Sequence, residues 1–308
     1  MVSGLRTTVV GSWWPQAEYE ADLQRVHRGK VSDEDREAIL SGSAQKAISQ
    51  QMALGLTEWS GGKYFTDEFL NHMQKVLTGI EIDIPSKPIL FDYDDFAHAK
   101  ITGQINAPNG MGYLAGFLRE KALPGGVRKA TVVGPLEMAF NAMDQFPQLM
   151  AQLPNLIAVV NAEIRGLAAA GCPNIQLDVP TFATLMTMNA LTAEDAARII
   201  TSCFEGVTGV RRGIHICTGN MRGRPLAGNL TCAHWAGILE RLDGVIDYAH
   251  IAVQYFCRYL ERDAFASVPR SIDIAAGIVD EGCYGVEPVE KIRERAAAWA
   301  KVVGEERL

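Results

Sequence analysis

Ile175-Gln176-Leu177-Asp178-Val179-Pro180 and, one helix later, Gly213-Ile214-His215-Ile216-Cys217-Thr218-Gly219-Asn220 are the stretches on which the fold turns. Each is a short apolar run that reaches a polar residue and then a chain-breaking Pro or Gly, as a strand does where it leaves a sheet. Between them, Ala193 to Val207 repeats apolar residues at helical spacing, and Thr192 followed by Glu194 and Asp195 supplies a helix start. Strand, helix, strand in that order predicts a parallel pair with a crossover helix.

The same rhythm extends in both directions. Further strands are expected at Thr7–Val10, Leu56–Trp59, Ala130–Val133, Ala249–Gln254 and Ile272–Val279, with helices at Asp33–Leu54, Leu153–Ala170 and Val289–Val303. Ser32 before Asp33 and Glu34 reads as another helix cap. From about Lys87 to Gly126 the rhythm breaks. Asp92-Tyr93-Asp94-Asp95 and Asn106-Ala107-Pro108-Asn109-Gly110 suggest an inserted strand pair with long loops inside what otherwise reads as one domain over 1–308. Counting the two opening stretches, seven strands are read where a closed β/α barrel needs eight, so the last strand is expected to be absent from this sequence or replaced by another element.

Composition removes several classes of function. A chain of 308 residues, 48% hydrophobic, can bury a large core, and its formal charge of −7 without a basic block argues against nucleic acid or an anionic membrane surface as the main partner. No apolar run is long enough to span a bilayer and the start has no signal-peptide core, so the cytoplasm is the expected compartment. The six cysteines are scattered without a CxxC pair, which predicts reduced thiols, one or two of them available as ligands.

The unusual residues collect at the ends of the expected strands, which in a β/α barrel share one face. His215 and Cys217, two apart on a strand, point the same way, and imidazole and thiolate are donors that zinc prefers; the same spacing also fits a structural His beside an inert buried Cys. Asp178 ends its strand as a candidate catalytic or substrate-binding acid, or as a loop cap. Ser12 is a candidate binding hydroxyl. Trp13, Trp14 and Trp59 offer an apolar wall or plain packing. Arg222 and Arg224 are the candidates for holding an anionic group such as a carboxylate, sulfonate or phosphate. His234, on a helix with Cys232, reads as structural, whereas His250 shares a strand face with Gln254 and can act as a supporting or replacement ligand.

Thr7-Thr8-Val9-Val10-Gly11-Ser12, Val133-Gly134-Pro135, Ile175–Pro180 and His215–Asn220, in this order, resemble the catalytic domain of the cobalamin-independent methionine synthase family, which includes the epoxyalkane:coenzyme M transferases. The resemblance implies a TIM barrel with zinc at the C-terminal ends of its strands, a small-molecule thiol activated on that zinc, and transfer to it of an alkyl group, most simply methyl. The donor is expected to be a folate, a corrinoid protein or an epoxide. It implies His215 and Cys217 as ligands, joined by a Glu from the next strand and a Cys from the last. Here the Glu position reads Gln254, a poorer donor, and the final strand is not seen, leaving Cys283 or Cys257 as substitutes. The family's clamp on an amino-acid substrate keeps Ser12 and Asp178, but its Glu after the second strand is replaced within Gly61-Gly62, with Glu58 nearby as a possible substitute. Two further readings follow: addition of a thiol to an epoxide or cleavage of a thioether, and a repurposed relative that binds no metal.

Overall fold

The structure, a computed structural model, describes residues 5–13, 17–66, 69–83, 98–217, 231–252, 261–280 and 285–308. It opens with helices α1 (Ala17–His27), α2 (Asp33–Ala53) and α3 (Phe69–Val76), followed by strands β1 (Thr78–Asp83) and β2 (His98–Asn106) and helix α4 (Tyr113–Ala122). Then come β3 (Ala130–Val133), α5 (Phe146–Ala151), α6 (Leu153–Ala169), β4 (Asn174–Asp178), α7 (Thr181–Thr187), α8 (Ala193–Cys203) and β5 (Arg211–Ile216). Helix α9 (Cys232–Leu239), β6 (Tyr248–Ile251), β7 (Asp273–Ala276) and α10 (Val289–Val303) complete it. The caps read from sequence form: Ser32 Oγ accepts from the Asp35 N–H at 3.1 Å, and Thr192 Oγ1 from the Asp195 N–H at 3.0 Å.

Strands β3 to β7 make a parallel sheet in chain order, and β1 and β2 form a separate antiparallel pair. The free edge of that pair is not left bare, because Gln145 and Gln152 side chains accept from the Ile101 and Ile105 N–H groups at 3.1 and 3.0 Å. One face of the large sheet is apolar. Val132, Ile175, Leu177, Ile214, Ile216, Ala249, Ile251 and Ile274 are buried there in one core with Ile164 and Leu167 of α6, Ile199 and Ile200 of α8, and Ile238 of α9.

Alternation sends the remaining strand residues to the other face, and there most of them are polar. The pairing sets them in rows: Thr131, Gln176, Gly213, Tyr248 and Asp273 form one, and Val133, Asp178, His215, His250 and Ala275 the next. Gly213 is required in its row, since a Cβ there would stand 2.1 Å from the Tyr248 ring. The ring crosses above the glycine and its hydroxyl donates to Asn174 Oδ1 at 2.9 Å.

The expected strands at Thr7–Val10 and Leu56–Trp59 do not form a regular ladder. These segments lie against the β3 edge through isolated bonds: Thr7 O accepts from Thr57 N and Glu58 N, both at 3.1 Å, and Trp59 O accepts from Arg128 N and Lys129 N at 2.9 and 3.2 Å. They follow the chain order a barrel would have, but the described residues show five parallel strands and two irregular segments, not a closed eight-stranded TIM barrel. The other expected strands are correct in place; β4, β5 and β6 begin earlier, at Asn174, Arg211 and Tyr248, and β5, β6 and β7 end earlier, at Ile216, Ile251 and Ala276. Among the described residues, no helix is long and apolar enough to cross a membrane.

Candidate functional site

The row at the C-terminal ends of β3 to β6 gathers the reactive side chains. Asp178 is 2% exposed, and both of its oxygens are engaged. Gln176, two residues earlier on the same strand face, donates Nε2–H to Oδ1 at 2.8 Å, while Lys63 Nζ stands 3.5 Å from Oδ2. Register pairing puts His215 beside Asp178 and His250 beside His215.

The two imidazoles meet at Nδ1 to Nδ1, 2.7 Å apart, with rings 4.9 Å between centroids and 18° from parallel. One nitrogen must donate and the other accept, so at least one ring is neutral. Burial is the main cause that lowers His215 to about 4. The Asp178 charge opposes the shift, and the Lys129 and Lys63 charges add to it. His250 is held well below its ordinary value, first by burial and then by the charges of His215 and Lys129. Neutral imidazole is the form that accepts a proton or ligates a metal.

Two lysines approach this row. Lys63 leaves the Gly61-Gly62 turn with φ +64°, a left-handed conformation rare for a residue with a side chain. Lys129 is 1% exposed; its Nζ reaches Thr8 Oγ1 and Val9 O at 3.4 and 3.5 Å, and burial lowers it to about 8, with Asp178 and Glu58 opposing. A pocket beside β3 is lined by Ser60, Lys63, Tyr113, Glu120, Lys129 and Thr131. Glu120 of α4 fills the space above Gly61, where a Cβ would lie 2.1 Å from its carboxyl carbon. Burial raises Glu120 to about 7 against the Gly61 N–H bond and the Lys63 charge.

The opposite end of the polar face is structural. Arg211 joins Glu58 at 3.3 Å and Asp273 at 2.8 Å, its guanidinium 4.4 Å from the Tyr248 ring, and Asn174 donates to Glu58 at 2.5 Å. Glu58 is therefore committed at the N-terminal ends of the strands and does not substitute for the missing acid after Gly61. Trp59 is also there: its indole N–H donates to Gly126 O at 2.9 Å, ahead of β3, and Arg128 lies 5.0 Å from its ring. The expectation that Trp59 faces the substrate is corrected accordingly.

Ser12 is exposed, and Trp13 is fixed by donation from its indole to Gln50 Oε1 at 2.7 Å and by Tyr64 OH donating to its carbonyl at 2.9 Å. Cys217 follows β5 directly and is half-buried. His234 is structural as expected, closing the capping box of α9 with Thr231. Trp14, Arg222, Arg224, Gln254, Cys257 and Cys283 lie outside the described residues. Lys63, Glu120, Lys129 and Gln176 were not singled out from sequence. The alternation that selects Asp178 also selects Gln176, and across the β3–β4 register it selects Lys129; no sequence signal marks Lys63 or Glu120.

The donor types at His215, His250 and Cys217 suit zinc, since neutral imidazole and thiolate are its usual partners. Number is the shortfall: among the described residues, no three His, Cys, Asp or Glu side chains are grouped to hold a metal ion. A complete set would have to draw on positions such as Gln254 and Cys283.

The model of the cobalamin-independent synthase catalytic domain matches residues 5–222. A methionine synthase of Sulfolobus acidocaldarius is 22% identical over 303 residues, covering 94% of this chain and 79% of its own length. That of Sulfurisphaera tokodaii is 22% identical over 226 residues, 70% of this chain and 62% of its own length. Among solved structures, a B12-independent methionine synthase from Shewanella sp. W3-18-1 superposes with a TM-score of 0.75 at 17% identity, over 99% of this chain and 89% of that one. A putative vitamin-B12-independent methionine synthase from Listeria monocytogenes gives 0.65 at 16% identity, over 99% and 90%. These two likenesses concern the fold.

Proposed function

Since the chain belongs to the family of cobalamin-independent synthase catalytic domains, we propose that it transfers an alkyl group, most simply methyl, to a small-molecule thiol at the Asp178–His215 row. The sulfur's electron pair forms the new S–C bond, the donor keeps the pair of the bond that breaks, and the thiol proton leaves. A folate, a corrinoid protein or an epoxide would present the carbon.

The observation that carries this reading is the adjacency of a buried, doubly anchored Asp178 to two imidazoles held neutral, with Cys217 two residues past His215. In the proposal His215 and Cys217 hold zinc, with Gln254 and Cys283 as the positions offered to complete the set. Zinc bound there would keep the thiol as thiolate at neutral pH. Asp178 orients the groups above the row, Ser12 and Trp13 border the substrate, and Arg222 and Arg224 meet its acidic end. The proposal takes the chain as a single domain with an insertion at about 87–126, acting in the cytoplasm without nucleic acid or membrane.

Two other readings use the same site. Addition of the thiol to an epoxide, or thioether cleavage, needs the same activated sulfur and no methyl donor. A metal-free relative is the third reading, resting on Gln254 standing where the family has a Glu. Elemental analysis of protein purified without chelator separates them: about one zinc per chain that is lost in Cys217→Ser supports thiol activation. Absence of zinc in the parent protein selects the metal-free reading.

A further inference from the structure

We propose that Lys63 is the built-in counter-cation of Asp178, and that the thiol accepted here therefore carries an acidic group without a neighbouring ammonium group. This deepens the thiol-transfer reading and rests on it. A buried carboxylate at a strand end is the natural partner for a substrate ammonium, because an unpaired charge is costly there. In this chain the place is already taken. Lys63 Nζ lies 3.5 Å from Asp178 Oδ2, both side chains are largely buried at 16% and 3% exposure, and Gln176 holds the other oxygen at 2.8 Å.

The lysine is put there by an unusual backbone. Its φ of +64° is the left-handed region, which a side-chain-bearing residue keeps when its surroundings hold it. Glu120 fills the space over Gly61 at the start of the same turn, so the turn cannot relax toward a Cβ-bearing sequence without displacing a buried acid. The ammonium of Lys63 thus already compensates the charge of Asp178.

Charge around the row points the same way. Two ammonium groups, Lys63 beside Asp178 and the buried Lys129, stand at this end of the polar face, where Asp178 supplies the carboxylate. Glu120 shares the pocket beside β3 with Lys63 and does not reach Asp178 through any hydrogen bond or ion pair of the described residues, and Glu137 is buried with its carboxyl turned to Thr181 N–H and Oγ1 at 3.2 and 2.6 Å. A second ammonium brought to Asp178 meets Lys63 at close range, whereas a carboxylate or sulfonate meets cations. Rejection by like charge of this kind is a means of specificity independent of any new attractive contact.

The test is isothermal titration calorimetry of the full chain with 4-mercaptobutanoate and with homocysteine, which differ by one α-ammonium group. The expected result is binding of 4-mercaptobutanoate about tenfold tighter or more, the scale of discrimination that a like-charge clash supplies. In Lys63→Asn, whose residue tolerates the left-handed backbone, the preference should vanish or reverse as Asp178 becomes available; Lys63→Arg should keep it. Thermal melting checks that each variant is folded, and the wild-type comparison stands without them. Homocysteine binding as tightly as its deamino analogue, or tighter, overturns the charge assignment and leaves thiol transfer standing. Binding of neither thiol overturns both.

Discussion

Acid should unlock this protein through its paired imidazoles. In the folded chain His215 is lowered from 6.5 to about 4, chiefly by burial, and His250 is lowered in the same direction. Below pH 6.5 the unfolded chain takes up a proton on His215 that the folded chain does not take until about pH 4. The stability contributed by keeping this ring neutral is thus fully present above 6.5 and is lost as pH falls through that window. Two and a half pH units at about 1.4 kcal/mol each give roughly 3.5 kcal/mol as an upper bound. Because His215 keeps some exposure, screening reduces the expected loss to about 1–2 kcal/mol. Urea unfolding at intervals from about pH 8 to 4, with chelator present so that metal release adds no proton dependence of its own, measures it. The His215→Asn, His250→Asn double variant should have the flatter profile. Parallel profiles for variant and wild type would refute the burial argument.

Other outcomes follow from the same face. Gly213→Ala drives a methyl into the Tyr248 ring and should cost about 1–3 kcal/mol by thermal melting, with much of the loss removed in a Tyr248→Leu background. Arg211→Met strands Glu58 and Asp273 and should destabilise by about 1–3 kcal/mol in urea titrations, while transfer activity per folded chain stays unchanged, since Arg211 lies at the other end of the strands. Thr192→Ala removes the α8 cap and should cost about 1 kcal/mol by the same assay. Asp178→Asn should retain the fold by circular dichroism and lower transfer by roughly 100-fold, as loss of an orienting charge does.

Helices α2, α6, α8 and α10 and the five-stranded sheet were legible because their signals are local: Ser32 and Thr192 cap, apolar residues recur at helical spacing, and Ala130–Val133 is a β-branched run closed by Gly134-Pro135, whereas α1, α3, α4, α5 and α7 were not read. Thr7–Val10 and Leu56–Trp59 carry the same β-branched and aromatic composition, yet their partners are single carbonyl bonds at a sheet edge, which composition cannot distinguish from a ladder. Asp178 and His215 were found by strand parity, and parity extended one step would also have given Gln176 and Lys129. Lys63 and Glu120 were not legible. Lys63 reaches the site through a left-handed turn, and Glu120 through a helix far away in sequence that happens to fill the space a glycine leaves. Trp59 was offered to the substrate side because it ends the expected strand Leu56–Trp59, although its carbonyl accepts ahead of β3 and its indole donates to Gly126 O.

The most direct test of thiol alkyl transfer at this row is mass spectrometry of the thiol after incubation with enzyme and a methyl donor, in wild type and in His215→Ala. Thioether formed by the wild type and abolished in the folded variant is the expected result. Thioether formed equally by both, or by neither with any donor class, would contradict it.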